Sequence, residues 1–337
     1  MNDRLMYSLF ELKNKGRIRY YYRMNQIANT FFHKEYRQEY KTFCGKKVLS
    51  EAESNQLLSA YIDRGNPFWV GRYGRTEFMF INSILKNKIT NNGMEVDKRL
   101  EDICNLSGFF PKDVKLGEKY VDLIMEYSKI MDAHAMWPLY MEDYVISRYK
   151  NKVPLFKYVY LEPWALSDYS KGVLPWSHSL KGKKVLVVHP FEKTIKSQYE
   201  NNRKRIFENL SISADSILPE FELKTLKAVQ TIAGNKDERF STWFEALDWM
   251  VEECRKIDFD VAILGCGSYG FPLAAEIKKM GKGAIQLCGA TQLMFGIMGN
   301  RWENNQVIQK LVNDAWVRPD ESEIINNIQR VEDACYW

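Results

Sequence analysis

The chain has 337 residues, 45% hydrophobic and 14% aromatic, enough for a sizeable core in one large or two smaller domains. No run approaches ~18 consecutive apolar residues, and the N-terminus lacks the charged start, apolar stretch and cleavage site of a signal peptide, so neither a transmembrane helix nor a secretory leader is expected. The net charge of +5 has one location: residues 1–41 hold nine Lys/Arg against four Asp/Glu, and the other 39 of each sign cancel.

The first 45 residues form a basic arm that reads as helix over 5–40 and mixes its cations with Tyr20, Tyr21, Tyr22, Phe31 and Phe32. It suits a solvated helix laying its aromatics on the body, or an arm on an anionic membrane surface, where each cation adds about 1 kcal/mol. Nucleic acid is not an expected partner, because the rest of the chain is neutral and shows no recognition module.

EAESNQLLSAYIDR (51–64) has helical spacing, with Leu57, Leu58, Tyr61 and Ile62 on one side. PFWVGRYG follows as a short buried strand and its turn, and Thr76 caps or enters the next helix, through Phe78, Ile81, Ile84 and Leu85. Residues 95–150 read as a helical insertion, broken at Pro111. After 150 the pattern changes. PLFKYVYLEP alternates like a strand. KKVLVVHPF reads as a buried parallel strand, IKSQYENNRKRIFENL as a long helix, and ELKTLKAVQTIAG as a strand and turn. TWFEALDWMVEECRKI is helix, DFDVAILGCGSYG strand and turn, FPLAAEIKKMG helix, and GAIQLCGATQLMFG opens as a strand. This alternation predicts an α/β fold: a Rossmann-like parallel sheet with helices on both faces, preceded by a largely helical N-terminal region. The division is 1–45 arm, 46–300 α/β domain, and 301–337 helical tail packing on it.

Six scattered cysteines without a Cys-x-x-Cys pair read as reduced thiols, and the histidines, His33, His134, His178 and His189, make no metal-ligand spacing. Ligands of open α/β sheets bind at the carboxyl ends of strands, so four turns are candidates. In Gly265-Cys266-Gly267-Ser268-Tyr269-Gly270 the glycines let a phosphate or sugar approach a helix N-terminus, although GxGxxG is not met; a tight turn with positive φ is the alternative. Gly289-Ala290-Thr291-Gln292 is small and polar, with Thr291 and Gln292 able to hold a base or sugar hydroxyl. His189 ends a strand, where it donates to a phosphate, acts as acid or base, or is bound within its loop. Downstream, Arg203 is a candidate anion partner on a helix whose default is exposure. In VGRYGRTEF, Arg72 and Arg75 are forked cations suited to phosphate oxygens and Glu77 an acceptor, base or metal ligand; an Arg–Glu pair knitting the turn is the alternative.

Arg72-Tyr73-Gly74-Arg75-Thr76-Glu77 resembles the Arg-x-Gly-Asp-Gly-Glu-like turn of bacterial glycosyltransferases with the GT-D fold, and GCGSYGFPLAAEIKKMGKGAIQLCGATQLMFG resembles that family's last strand-helix-strand unit. The resemblance covers residues 50–300. It implies a nucleotide-sugar donor and a saccharide or lipid-linked saccharide acceptor, in surface polysaccharide synthesis such as capsule or O-antigen. It also implies a divalent metal, manganese or magnesium, at an Asp-x-Glu motif. Here Arg75 stands at the Asp position and only Glu77 survives. A fixed guanidinium can neutralise a leaving diphosphate as a metal does, and would repel one, so no cofactor is expected to be required.

The expected enzyme is therefore a glycosyltransferase with weak or no metal dependence, cytoplasmic or peripheral at the inner face of the plasma membrane. Glu77, Arg75 and His189 are its catalytic candidates. Arg72, Gly74, Thr76, Gly265, Gly267, Ser268, Tyr269, Gly289, Thr291, Gln292 and Arg203 are its substrate-binding candidates, and no residue is assigned to a metal. A transferase of a non-sugar group, or a non-catalytic assembly component, are the alternatives. Glu162 in YLEPW and the tail residues Trp316, Tyr336 and Trp337 carry no assignment.

Overall fold

The computed structural model describes residues 2–32, 39–148, 153–166 and 173–337. Helix α1 (Asp3–Phe32) is followed by a hairpin of β1 (Thr42–Phe43) and β2 (Lys46–Leu49). Helix α2 (Glu51–Arg64) begins in a capping box: Glu53 N–H donates to Ser50 Oγ, and the Glu53 carboxylate accepts from Ser50 N. It ends at Gly65 in the left-handed region, φ 65°. Strand β3 (Phe68–Gly71) then leads into α3 (Arg75–Thr90), α4 (Val96–Ser107) and α5 (Val114–Ser128). Next come β4 (Ala133–Met136), α6 (Glu142–Ser147) and β5 (Leu155–Lys157). The second half alternates: β6 (Lys184–His189), α7 (Glu192–Asn202), α8 (Ala214–Ile217), β7 (Glu222–Lys227), α9 (Trp243–Lys256), β8 (Val261–Leu264), α10 (Gly270–Lys279) and β9 (Gly283–Gln286). Two short helices, α11 (Ala290–Met294) and α12 (Gln306–Gln309), precede the C-terminal turns.

The nine strands among the described residues form one sheet, in the order β1-β2-β5-β4-β3-β9-β8-β6-β7, parallel except for the β1–β2 hairpin. The two halves of the chain meet where β3 pairs with β9, Phe68 opposite Gly283 and Val70 opposite Ile285. Central strands are buried on both faces, so they read as apolar runs. Trp69, Leu186 and Ala262 face one core with α9 and α10, while Val70, Val187 and Ile263 face the other with α7.

Several elements differ from the sequence pattern: PLFKYVYLEP is strand only over Leu155–Lys157, and the tail, expected to be helical, is mostly turns around Gln306–Gln309. Ala133-His134-Ala135-Met136 lies inside the stretch read as helix, yet forms β4 between β3 and β5. Its residues favour helix, but four fully buried positions beside two strands are satisfied only by sheet hydrogen bonds. The long helix read over 195–210 stops at Asn202, and turns follow.

Helix α1 lies against the body along one side. Tyr7 is 1% exposed and its hydroxyl donates to Asn82 Oδ1 at 3.0 Å. Asn14 is fully buried, with Nδ2 donating to Asp143 Oδ1 at 2.7 Å. Arg17 Nη2 donates to the Leu139 carbonyl at 2.9 Å. Tyr20 and Tyr22 stay exposed. Residues 33–38 of the arm and the side chains of Phe31 and Phe32 lie outside the described residues. Among the described residues no helix is long and apolar enough to cross a membrane.

Candidate active site

The chain leaves β6 towards β7 and β8 towards β9, in opposite directions along the sheet. Helices α7 and α10 therefore cover opposite faces, Ile195 in one core and Ala274 in the other, and a crevice opens beyond the carboxyl ends of β6 and β8. A cavity of about 370 Å³ occupies it. All four candidate turns reach its wall: Arg72 to Glu77 after β3, His189 after β6, Gly265 to Tyr269 after β8, and Gly289 with Gln292 after β9.

Gly74 is the N-cap of α3 and provides no side-chain cap. Thr76 sits in the first turn rather than at the cap, and lines the cavity. Glu77 folds back over Gly74, where an added Cβ would lie 1.9 Å from its Oε2. Burial pushes the Glu77 carboxyl above the usual carboxylate range, against the opposing pull of its own amide, Ser107 and Arg72. The Arg72 guanidinium lies over Trp137 at 4.7 Å and Tyr158 at 5.2 Å from the ring centroids. Its backbone N–H donates to Gln286 Oε1 at 3.2 Å, and its buried Nη1 has no hydrogen-bond partner among the described residues. Arg75, at the first position of α3, is exposed. Among the described residues neither arginine forms an ion pair, so the turn is not knitted by an Arg–Glu contact. The carboxylates lining this cavity are Glu77, beside Arg72 and Arg75, and Glu332, already paired with Arg301, and no group of three His, Cys, Asp or Glu among the described residues could hold a divalent metal. These residues do not fit the metal that the resemblance implies.

At the end of β6 the His189 ring is buried, and its Nδ1 accepts the Phe191 N–H at 3.0 Å. Burial lowers its pKa to about 3, so the ring is neutral and carries its proton on Nε2. With Nδ1 already accepting, the Nε2–H is the ring's remaining polar group. Gly265 packs against this ring: a Cβ there would meet His189 Cδ2 and Thr291 Oγ1, each at 2.6 Å. Thr291 thus lies behind Gly265 and outside the cavity wall. The Ser268 hydroxyl is already engaged, donating to the Ser107 carbonyl at 2.7 Å and accepting from Trp243 Nε1 at 2.9 Å. Gly267 has positive φ, 57°, and Tyr269 stacks on Trp243 with centroids 5.1 Å apart. Gln292 Nε2 donates to the carbonyls of Ile297 and Tyr336, while its buried Oε1 has no hydrogen-bond partner among the described residues. Arg203 belongs elsewhere. It pairs with Asp215 and Glu220 and donates to the Leu218 carbonyl, away from the crevice.

Several wall residues carry no local signal of their place. Trp137 follows β4, a strand the helical composition hid. The tail folds back over the crevice, bringing Arg301, Glu332 and Tyr336 to the cavity. Arg301 pairs with Glu332 and donates to the Tyr336 hydroxyl at 3.2 Å. Three successive residues of this strap, Glu332, Asp333 and Ala334, have positive φ, 45°, 55° and 58°. A second, wider groove of about 1740 Å³ adjoins the cavity and shares Arg72, Arg75, Trp137, Gly289 and Arg301 with it. Glu162 faces this groove. Burial raises its carboxyl to about 7, with Arg72 pulling it down.

No family model and no curated protein matches the chain. Two solved structures are similar to it. One is a selenomethionine-substituted structure of domain of unknown function 1792, 16% identical, with a TM-score of 0.41, covering 73% of this chain and 79% of that one. The other is described as showing that this highly conserved domain has a distinct glycosyltransferase fold; it is also 16% identical, with a TM-score of 0.40 and the same coverage.

Proposed function

We propose that the protein transfers a sugar from a nucleotide-sugar donor to a saccharide acceptor, in synthesis of a bacterial surface polysaccharide such as capsule or O-antigen. One observation carries the reading: Arg72 and Arg75 flank the glycine N-cap of α3 and face a cavity into which the turns of three further strands converge. A helix N-terminus with two guanidinium groups is a site for a diphosphate.

In this reading the nucleotide lies along the turns at Gly265 and Gly289, with Gln292 Oε1 accepting from the base or ribose. His189 Nε2–H donates to a phosphate or sugar oxygen. Glu77, held over Gly74, orients a hydroxyl of the donor. The acceptor enters from the groove, and Glu162 takes its proton, since a base near pH 7 suits that role. The acceptor oxygen then bonds to the anomeric carbon as the bond from that carbon to the diphosphate breaks. The electron pair leaves with the diphosphate, and Arg72 and Arg75 neutralise it. The cations and exposed tyrosines of α1 support a peripheral position at the inner face of the plasma membrane.

The test is thermal shift against a panel of nucleotides and nucleotide sugars, with manganese and with EDTA. A stabilising hit that survives EDTA is expected. Silence across the panel in folded protein removes the reading, and a hit that needs manganese removes the role given to Arg75.

A further inference from the structure

The wider groove has a charge and a lining of its own. Five cations line it without touching the nucleotide cavity: Lys15, Arg17, Lys86, Arg99 and Lys157. Three more, Arg72, Arg75 and Arg301, stand where the two spaces join. Among the described residues only Glu11, Glu95 and Glu162 oppose them in its wall. Glu11 is held by Lys15 at 3.3 Å and Lys86 at 3.6 Å, and Glu95 by Arg99 at 3.5 Å. Lys157 and Arg75 form no ion pair among the described residues. The groove is thus net positive after its internal pairs are made.

Its other component is aromatic. Trp137 packs on Tyr158 with centroids 5.0 Å apart, and Tyr22, Tyr160 and Trp302 line the same space. Flat apolar rings beside polar groups suit sugar rings, which present apolar C–H faces and polar edges. Helix α1 forms one wall through Lys15, Ile18 and Tyr22, so the basic arm is part of the site it adjoins.

We infer that this groove holds the acceptor as an extended, negatively charged saccharide, with a ring face on Trp302 and its charge against Lys157 and Arg75. The word acceptor rests on the sugar-transfer reading; the binding does not. The negative charge comes either from acidic sugars along the chain or from a phosphate at the reducing end. Either source makes binding salt-sensitive, since the cations are partly exposed.

Three probes separate these cases, titrated into the full chain by tryptophan fluorescence: a hyaluronate hexasaccharide, neutral chitohexaose, and chitohexaose carrying a reducing-end phosphate. At low salt at least one charged probe should bind roughly 10-fold tighter than chitohexaose, about 1.4 kcal/mol, and the difference should collapse near 0.5 M salt. The charged probe that binds tighter identifies the source. The variant Lys157→Gln should lose most of that roughly 10-fold advantage and leave the melting temperature unchanged. Equal binding of all three probes, a preference for chitohexaose, no binding at all, or a full charge preference that survives Lys157→Gln would each overturn the inference. Thermal shift with UDP and GDP on the same protein reads the cavity separately. Saccharide binding without nucleotide binding keeps the groove and removes the transfer reading; nucleotide binding without saccharide binding does the reverse.

Discussion

The carboxylate of Glu77 occupies the place a side chain on Gly74 would take, with Oε2 1.9 Å from an ideal Cβ. The glycine is therefore needed for what lies above it. Its φ of −70° is open to any residue. Gly74→Ala should displace Glu77 and cost ~1–3 kcal/mol by overpacking, together with most of the activity. In a double-mutant cycle read by urea unfolding, Glu77→Ala should relieve most of that cost. Additive costs would show that the two residues do not share the space.

Arg75 is exposed and bears no structural load. Arg75→Gln should lower turnover ~10²–10³-fold, as removal of one charge-stabilising donor does, with an unchanged melting temperature. Wild-type turnover should be insensitive to EDTA. Activity that falls with EDTA, or an Arg75→Gln enzyme at full rate, would remove the charge role.

Glu162 gives a pH signature. With its carboxyl raised to about 7 by burial, the basic form grows as pH rises through 7, so kcat should climb over that interval. Glu162→Gln should abolish turnover and the climb together. The same shift acts on stability with the opposite sense. The folded state holds the proton more tightly, so stability falls as pH rises from the ordinary carboxyl value of 4.5 to about 7. A pH–rate profile unchanged in Glu162→Gln would return the proton to another group.

His189 is a neutral buried donor whose folded pKa, lowered by burial to about 3, lies below the ordinary imidazole value of 6.5. Between these values the unfolded chain binds the extra proton, so its contribution to stability is lost as pH falls through this window. At pH 5 the loss relative to neutral pH is about 2 kcal/mol, and His189→Gln should lack that share of the acid sensitivity in urea unfolding. An identical pH dependence in the two proteins would mean that the ring charges without penalty.

Asn14 ties α1 to the body through a buried hydrogen bond to Asp143. Asn14→Leu leaves Asp143 without that donor and should cost ~1–3 kcal/mol in urea unfolding. If α1 is loosened, charged-saccharide binding in the groove should weaken in step.

The sheet was largely legible where strands are long and rich in Val, Ile and Leu, as in Lys184–His189 and Val261–Leu264. Their turns were legible too, because glycines at strand ends have few other uses. Ala133–Met136 was not, since a strand of four residues buried by its neighbours need not show strand propensity. Contacts made across long sequence separations were also invisible. Nothing local to Tyr336 says that it covers Gly289, nor local to Arg203 that Asp215 and Glu220 hold it away from the crevice. Thr291 follows β9 as expected, but it lies in α11 rather than in a turn and packs behind Gly265, because one residue decides whether a side chain faces the cavity or the packing behind it.

The pairing of β3 with β9 also constrains how the molecule comes to be. Phe68 meets Gly283 about 215 positions later, so the two strands that bring Arg72 and Gly289 together are joined by most of the chain. Closing so long a loop is slow and is rewarded only once both edges are ready. During synthesis β3 emerges early and waits with one edge unsatisfied until β9 is made. The crevice is then among the last features to form, and a chain interrupted before residue 283 would lose the coupling between its halves along with one strand.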